Sequence, residues 1–235
     1  MKQSIVGSVV AVAAFAGGMA LFFSGLPVSA QGGGSISGEV KFTGAAPAPK
    51  VVKVNKDNEV CGQEKKIVEV AVGAGGGLGE TLVSVTDAKG AKPTPAKPAV
   101  LDQKGCEFHP DIVVMAPGEI KILNSDGVLH NIHTFSTANP PINKAQPKFK
   151  KEMVEKLEKP ELVKVQCDAH SWMHGWIFVT ENPTAVTDDK GAFKLENVPP
   201  GKYKVDVVHP VLGKQTKEVE VKAGQDTKVA FELKK

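Results

Sequence analysis

The most informative segment of this chain is Cys167-Asp168-Ala169-His170-Ser171-Trp172-Met173. It places a thiolate, an imidazole and a thioether within seven residues, and a second imidazole, His130, lies upstream. This spacing suits a tight loop between two strands. Two histidines, one cysteine and a weak axial methionine form the ligand set of a blue-copper electron-transfer site. The residues therefore predict His130, Cys167, His170 and Met173 as copper ligands.

Two neighbouring residues are predicted to support these ligands. The segment Asn124–Asn131 contains Asn, Asp and Gly, which suit a bend that aims His130 inward. Asn131 follows that histidine and can hydrogen-bond across to the Cys167 loop, which would orient the ligands and tune the metal. Trp172 lies in the part of the loop expected near the surface. It is predicted to form an apolar docking patch around an exposed edge of His170.

The composition favours β structure and argues against a nucleic-acid reader. The chain has 235 residues, 41% of them hydrophobic, with 24 glycines and 16 prolines that suit many turns. All 29 basic residues are lysine, whereas bidentate recognition of phosphate and guanine favours arginine. The net charge of +3 is mild. It permits an acidic partner without requiring one.

The amino-terminal segment, residues 1–30, has the pattern of an export signal. Lys2 supplies a positive charge, an apolar stretch follows, and Val28-Ser29-Ala30 offers a small-x-small cleavage site before Gln31. The alternative is an uncleaved membrane anchor, because the apolar stretch is long for a signal peptide. Either interpretation predicts that the rest of the chain is periplasmic or extracellular.

The three cysteines fit an exported protein. If Cys167 binds metal, Cys61 and Cys106 remain as a pair that an oxidising compartment would bridge. An alternative interpretation makes Cys106 and His109 ligands of a second metal ion, although no third and fourth ligands lie nearby in the sequence.

The rest of the chain divides into short, mostly strand-like runs separated by Gly, Pro and Asn. The exception is Phe149–Lys159, where apolar residues repeat every four positions and predict a helix. Asn182-Pro183 marks a boundary, after which four runs alternate cleanly between apolar and polar residues. We therefore predict an enlarged first β domain over 31–181 and a small β-sandwich over 182–235.

The ligand pattern resembles a known family. His130-Asn131 and the short spacing Cys167-x2-His170-x2-Met173 are similar to the cupredoxins, and most similar to amicyanin. The resemblance covers about residues 100–180. It implies a Greek-key cupredoxin β-sandwich that holds one type 1 copper ion and acts as an electron carrier without a catalytic site of its own.

The tail resembles a different family. Thr187–Phe193 and Val198–Tyr203 are similar to carboxypeptidase-regulatory-like, or transthyretin-like, domains, which implies a small accessory β-sandwich and no peptidase activity. The combination resembles exported bacterial cupredoxin proteins described as methylamine-utilisation-like.

These observations predict an electron shuttle whose redox partner proteins dock near His170. A multicopper enzyme is disfavoured because no histidine lies beside Cys167 to connect it with another copper ion. Two alternatives stay open, a copper storage or delivery protein and a non-redox structural or binding β module. No small-molecule substrate and no nucleic-acid partner are predicted, and a membrane anchor would require that residues 1–30 are retained.

Overall fold

The computed structural model describes residues 32–86, 88 and 98–235, so the predicted export segment 1–30 lies outside the described residues. The fold is nearly all β, which confirms the predicted all-β sandwich class. Within the described ranges, no helix has the length and apolar character needed to span a membrane. The strands, in chain order, are β1 (Gly34–Thr43), β2 (Lys50–Lys53), β3 (Glu64–Ile67), β4 (Leu82–Thr86), β5 (Ala99–Lys104), β6 (Glu107–His109), β7 (Ile112–Met115), β8 (Gly118–Asn124), β9 (His130–Phe135), β10 (Asn143–Gln146), β11 (Glu152–Leu157), β12 (Glu161–Gln166), β13 (His174–Val179), β14 (Thr184–Val186), β15 (Ala192–Val198), β16 (Gly201–His209), β17 (Gly213–Val221) and β18 (Asp226–Lys234).

The middle of the chain forms one pair of sheets. A five-stranded sheet has the order β10-β9-β12-β13-β7, and a four-stranded sheet has the order β11-β8-β5-β6. Both sheets alternate apolar and polar residues, so that one face of each can be buried. The buried faces contribute to a single apolar core that includes Leu101, Ile122, Ile132, Val165 and Ile177.

The two ends of the chain form a second pair of sheets, with strand orders β15-β1-β18 and β14-β4-β16-β17. Strands β1 and β4 precede position 182, yet they pair with strands that follow it. Gly38 on β1 lies so close to the carbonyl oxygen of Val229 on β18 that any larger side chain would overlap it. A second apolar core, which includes Ile36, Val207 and Phe231, lies between these sheets.

The predicted helix over Phe149–Lys159 is wrong. Residues Glu152–Leu157 form β11, which runs antiparallel to β8, and Met153 and Leu157 are buried. Residues four apart lie on one face of a helix, but they also lie on one face of a strand, whose side chains repeat every two residues. The spacing therefore fitted both structures, and pairing with β8 decided between them.

A short segment between β1 and β4 covers one end of the middle sheets. Strands β2 and β3 form a hairpin, and a single helical turn, α1 (Asn58–Cys61), lies between them; a 3₁₀ turn (Ala74–Gly76) follows later. Val54 and Cys61 belong to the core of the middle sheets, and Val52 and Ile67 pack against it. The predicted disulfide between Cys61 and Cys106 is confirmed, and it fastens this segment to the middle sheets.

Candidate metal centre

The residues predicted as ligands come from the ends of neighbouring strands. His130 begins β9, Cys167 directly follows β12, and His170 and Met173 lie in the loop before β13. Hydrogen bonds close that loop, since the Cys167 amide donates to the Met173 carbonyl at 3.1 Å and the Met173 amide donates to the His170 carbonyl at 2.9 Å. The predicted tight loop between two strands is therefore present, and all four side chains are buried.

Three donor atoms converge in this buried region. The Nδ1 atoms of His130 and His170 lie 3.0 Å apart. The Sγ atom of Cys167 lies 3.9 Å from the first of these nitrogens and 3.8 Å from the second. These atoms belong to three of the four residues predicted as ligands, His130, Cys167 and His170.

The other ring nitrogen of each histidine is held by a carboxylate. Nε2 of His130 lies 2.8 Å from Asp126 Oδ2, and Nε2 of His170 lies 3.0 Å from Asp57 Oδ2. A carboxylate accepts hydrogen bonds, so these contacts direct an Nε2–H of each ring toward its carboxylate and turn the two Nδ1 atoms toward each other. Two ring nitrogens that face each other at 3.0 Å can share a proton or bind a metal ion. The donor set therefore fits a metal ion.

The separations in the triangle are compatible with one bound metal ion. Metal–imidazole and metal–thiolate bonds are about 2.05 and 2.3 Å long, so His130, His170 and Cys167 would be the residues that hold the ion. Two imidazoles and one thiolate are donors that copper accepts.

Burial shapes the protonation of the donors. It lowers the pKa of His130, against the opposing effect of the hydrogen bond to Asp126, and it raises the pKa of the Cys167 thiol. Burial also acts to raise the pKa of Asp126, but hydrogen bonds from the Cys106 amide, from His130 and from the Gly105 amide lower it overall. A neutral imidazole beside an ionised carboxylate is the state that leaves Nδ1 free to bind a metal.

Asn131 forms the expected hydrogen bond across to the Cys167 loop. Its side-chain oxygen accepts from the Asp168 amide, and its Nδ2 donates to Asp168 Oδ2 at 3.1 Å. The ring nitrogen Nδ1 of His133 lies 3.0 Å from the same carboxylate, and the ring stacks on Phe135. This hydrogen bond from His133 is the largest of the effects that lower the pKa of Asp168. Hydrogen bonds with side chains of the neighbouring strand β9 therefore hold Asp168, the residue that follows the thiol.

The expectation of an exposed His170 edge beside a surface Trp172 is wrong. The His170 side chain is fully buried, and only 6% of Trp172 is exposed. The indole N–H donates to the Cys106 carbonyl at 3.1 Å, and its ring centroid lies 5.1 Å from that of His170. The disulfide-linked segment around α1 supplies the Asp57 carboxylate that meets His170, so the loop is covered. Trp172 packs within the site and offers no docking patch.

The sequence did not single out Asp57 and Asp126, whose carboxylates contact the two imidazoles. Asp57 lies at the start of α1 in a left-handed conformation with φ of +56°, and its side chain caps no helix amide. It reaches His170 instead, which is 113 residues away in the chain. The one sequence signal for Asp57 was its position four residues before Cys61, a cysteine expected to be bridged.

The second metal ion suggested for Cys106 and His109 is contradicted. Cys106 is bonded to Cys61, which removes the thiolate that such a site would need. His109 is exposed, and its Nε2 lies 3.2 Å from the Lys104 carbonyl oxygen. The disulfide instead links the two segments that hold the carboxylates. Cys61 belongs to the helical turn that begins after Asp57, and the Cys106 amide donates a hydrogen bond to Asp126.

Comparison with known proteins relates the chain to one protein by sequence. It is 35% identical over 106 residues to the flagellar basal-body rod protein FlgC of Aquifex aeolicus (strain VF5), a match that covers 44% of this chain and 74% of that protein. The chain belongs to the same sequence family as that protein. The rod-protein description concerns the Aquifex protein. Residues 177–234 match the family described as carboxypeptidase regulatory-like domain, which confirms the resemblance seen in the tail.

Similar solved structures are copper proteins. They include amicyanin from Paracoccus versutus (17% identity, 42% of this chain and 97% of that chain, TM-score 0.32) and a purple cupredoxin from Nitrosopumilus maritimus (19% identity, 35% and 99%, TM-score 0.30). A copper nitrite reductase from Thermus scotoductus matches at 21% identity and a TM-score of 0.33, over 39% of this chain and 24% of that one.

Proposed function

We propose that this protein is an exported type 1 copper protein that carries single electrons between redox partners. The observation that carries the proposal is the convergence of His130 Nδ1, His170 Nδ1 and Cys167 Sγ, with both imidazoles oriented by carboxylates. These three atoms, together with the Met173 thioether, would hold the copper ion. Bound copper supplies a reversible Cu(II)/Cu(I) couple.

Burial of the donors favours a carrier over an enzyme. The side chains of His130, Cys167 and His170 are fully buried, which suits electron transfer through the protein and does not suit contact with a substrate. The hydrogen bonds from Asn131, Asp126 and Asp57 hold the donors in one geometry. A fixed geometry limits the rearrangement that accompanies a change of oxidation state.

The experiment is protein-film or solution voltammetry of the copper-loaded chain, combined with copper analysis before and after repeated cycles. A carrier gives a reversible one-electron wave and retains its copper. Irreversible oxidation, or rapid loss of Cu(I) to a competing chelator, would favour the storage or delivery alternative. Failure to bind copper would favour a non-redox structural module.

That structural module is the second candidate, and one observation favours it. The chain shares a sequence family with a protein described as a flagellar basal-body rod protein, whose name denotes an assembly component. The copper-binding measurement separates the two candidates, because a purely structural β module has no need for converging imidazole and thiolate donors.

Export and the accessory tail complete the proposal. The Cys61–Cys106 disulfide supports an oxidising compartment, as expected for a periplasmic or extracellular protein. We propose that the carboxypeptidase-regulatory-like tail positions the carrier on a complex or surface. Mass spectrometry of the protein purified from its own compartment tests export, since cleavage leaves Gln31 as the first residue.

A further inference from the structure

The face of the molecule expected for electron exchange is closed. His170 is fully buried and its outer nitrogen is bonded to Asp57, which is itself only 28% exposed. A partner that exchanges electrons with this centre must therefore approach elsewhere. The inference below rests on the proposed electron-carrier function and concerns where such a partner docks.

A turn beside the other histidine lies at the metal end of the middle sheets. The pairing of β9 with β10 sets His130 opposite Gln146, and the Asn124 amide donates to the Lys151 carbonyl at 3.0 Å. The turn 147–151 therefore runs alongside the loop 124–129 that leads into His130. We name residues 148–151 together with Leu129 the basic turn face.

The basic turn face combines exposed apolar groups with positive charge. Phe149 is 81% exposed, and Leu129, which is bonded directly to His130, is 42% exposed. Lysines 148, 150 and 151 surround Phe149 in the sequence Lys148-Phe149-Lys150-Lys151.

The lysines keep their charge available to a partner. Within residues 32–86, 88 and 98–235, Lys148 and Lys150 form no ion pair, and Lys151 Nζ donates to the Asp126 carbonyl oxygen at 3.0 Å. The neighbouring acids are engaged elsewhere, since Asp126 is bonded to His130 and Glu152 pairs with Lys121 at 3.0 Å. The face is therefore locally positive.

We propose that the basic turn face is the docking surface for an acidic electron-transfer protein. Its exposed apolar side chains and its lysines are complementary to an acidic surface that also carries apolar groups, and opposite charges steer the encounter of the two proteins. One electron passes between the two proteins through the Leu129–His130 side, and no bond or proton changes. An anionic membrane is the less suited occupant, because surface insertion uses a long amphipathic helix and this turn offers one aromatic ring.

The test uses the full mature chain loaded with copper and two small redox reagents of opposite charge. Stopped-flow absorbance measures oxidation of the reduced protein by the hexacyanoferrate(III) anion and by the tris(phenanthroline)cobalt(III) cation. In each reaction one electron leaves the protein and reduces the reagent by one unit. The variant Lys148→Glu/Lys150→Glu is compared with the matched control Lys222→Glu/Lys234→Glu, whose lysines lie at the edge of the second sandwich.

If the basic turn face is the docking surface, Lys148→Glu/Lys150→Glu should lower the rate of oxidation by hexacyanoferrate(III) about tenfold at low ionic strength. The same variant should raise the rate of oxidation by the cobalt(III) cation, and the control variant should change neither rate. The variant Phe149→Ser should slow both reagents without altering the visible spectrum. Equal rates for the reversal and the control would overturn the docking site while leaving the carrier function intact. Absence of any oxidation in the unaltered protein would instead refute the carrier function. Sedimentation with phosphatidylserine vesicles that depends on Lys148 and Lys150 would overturn the choice of a protein partner.

Discussion

Replacement of Asp57 by glycine tests whether the covering segment positions His170. The carboxylate lies 3.0 Å from His170 Nε2, and that imidazole is fully buried. Because Asp57 has a φ of +56°, glycine removes the side chain without adding backbone strain. A buried N–H left without an acceptor costs about 1–3 kcal/mol, so we expect the copper-free variant to lose about 2 kcal/mol of unfolding free energy. For a chain of this size that loss lowers Tm by about 4–8 °C.

The matched control is Asp57→Asn. Asparagine tolerates the same left-handed backbone and keeps a side-chain oxygen that accepts from His170 Nε2, but it removes the negative charge. We therefore expect Asp57→Asn to retain most of the stability and to raise the reduction potential, because loss of the nearby negative charge destabilises the oxidised, more positive centre.

Two assays test the prediction. Scanning calorimetry of the copper-free chain measures Tm, and competition titration against a chelator of known affinity measures copper binding. Residues that orient metal ligands typically contribute 10- to 100-fold in affinity, so Asp57→Gly should weaken copper binding by about that factor. If Asp57→Gly matched the unaltered protein in both Tm and affinity, the covering segment would not position His170.

Three further predictions follow from other parts of the structure. Replacing Cys61 and Cys106 together by serine should lower the unfolding free energy in urea by about 4 kcal/mol, from the entropy of the 45-residue separation they close; an unchanged midpoint would contradict this. Burial lowers the pKa of His209 to about 4, so the unfolded chain binds its proton first and stability should fall by on the order of 3 kcal/mol as pH drops from about 6.5 to about 4. The variant His209→Asn keeps an acceptor for the two backbone amides that donate to His209 Nδ1, so it should remove this dependence of stability on pH. The same pH dependence in the variant and the parent would show that His209 is not its source. Gly38→Ala should prevent β1 from pairing beside Val229, and a circular dichroism melt equal to that of the parent would contradict the close approach.

Most features that depend on residues close together in the chain could be predicted from the sequence. The interval Cys167-x2-His170 predicted a tight loop, and the structure closes that loop with hydrogen bonds between its own backbone groups. The Cys61–Cys106 pair followed from elimination once Cys167 was reserved for metal. The hydrogen bond from Asn131 to the Cys167 loop was predicted correctly, because a side chain next to His130 on a strand can reach few neighbouring segments.

Contacts between residues far apart in the chain could not be predicted from the sequence. Asp57 meets His170 across 113 residues, and the pattern around Asp57 only indicates a turn. The parallel pairing of β1 with β18 joins the two ends of the chain, which no periodicity encodes. For Phe149–Lys159 the spacing was compatible with a helix and with a strand, and the partner strand β8 settled it. Contacts with distant segments also buried Trp172, which local sequence placed near the surface.

Titration of the purified copper-free protein with Cu(II), followed by visible absorption, tests whether this chain forms a copper–thiolate centre. We expect an intense thiolate-to-copper band that saturates at one ion per chain and disappears in the variant Cys167→Ser. The buried triangle formed by His130, Cys167 and His170 is the structural basis of that expectation. An absence of colour, or a band that persists in Cys167→Ser, would contradict it.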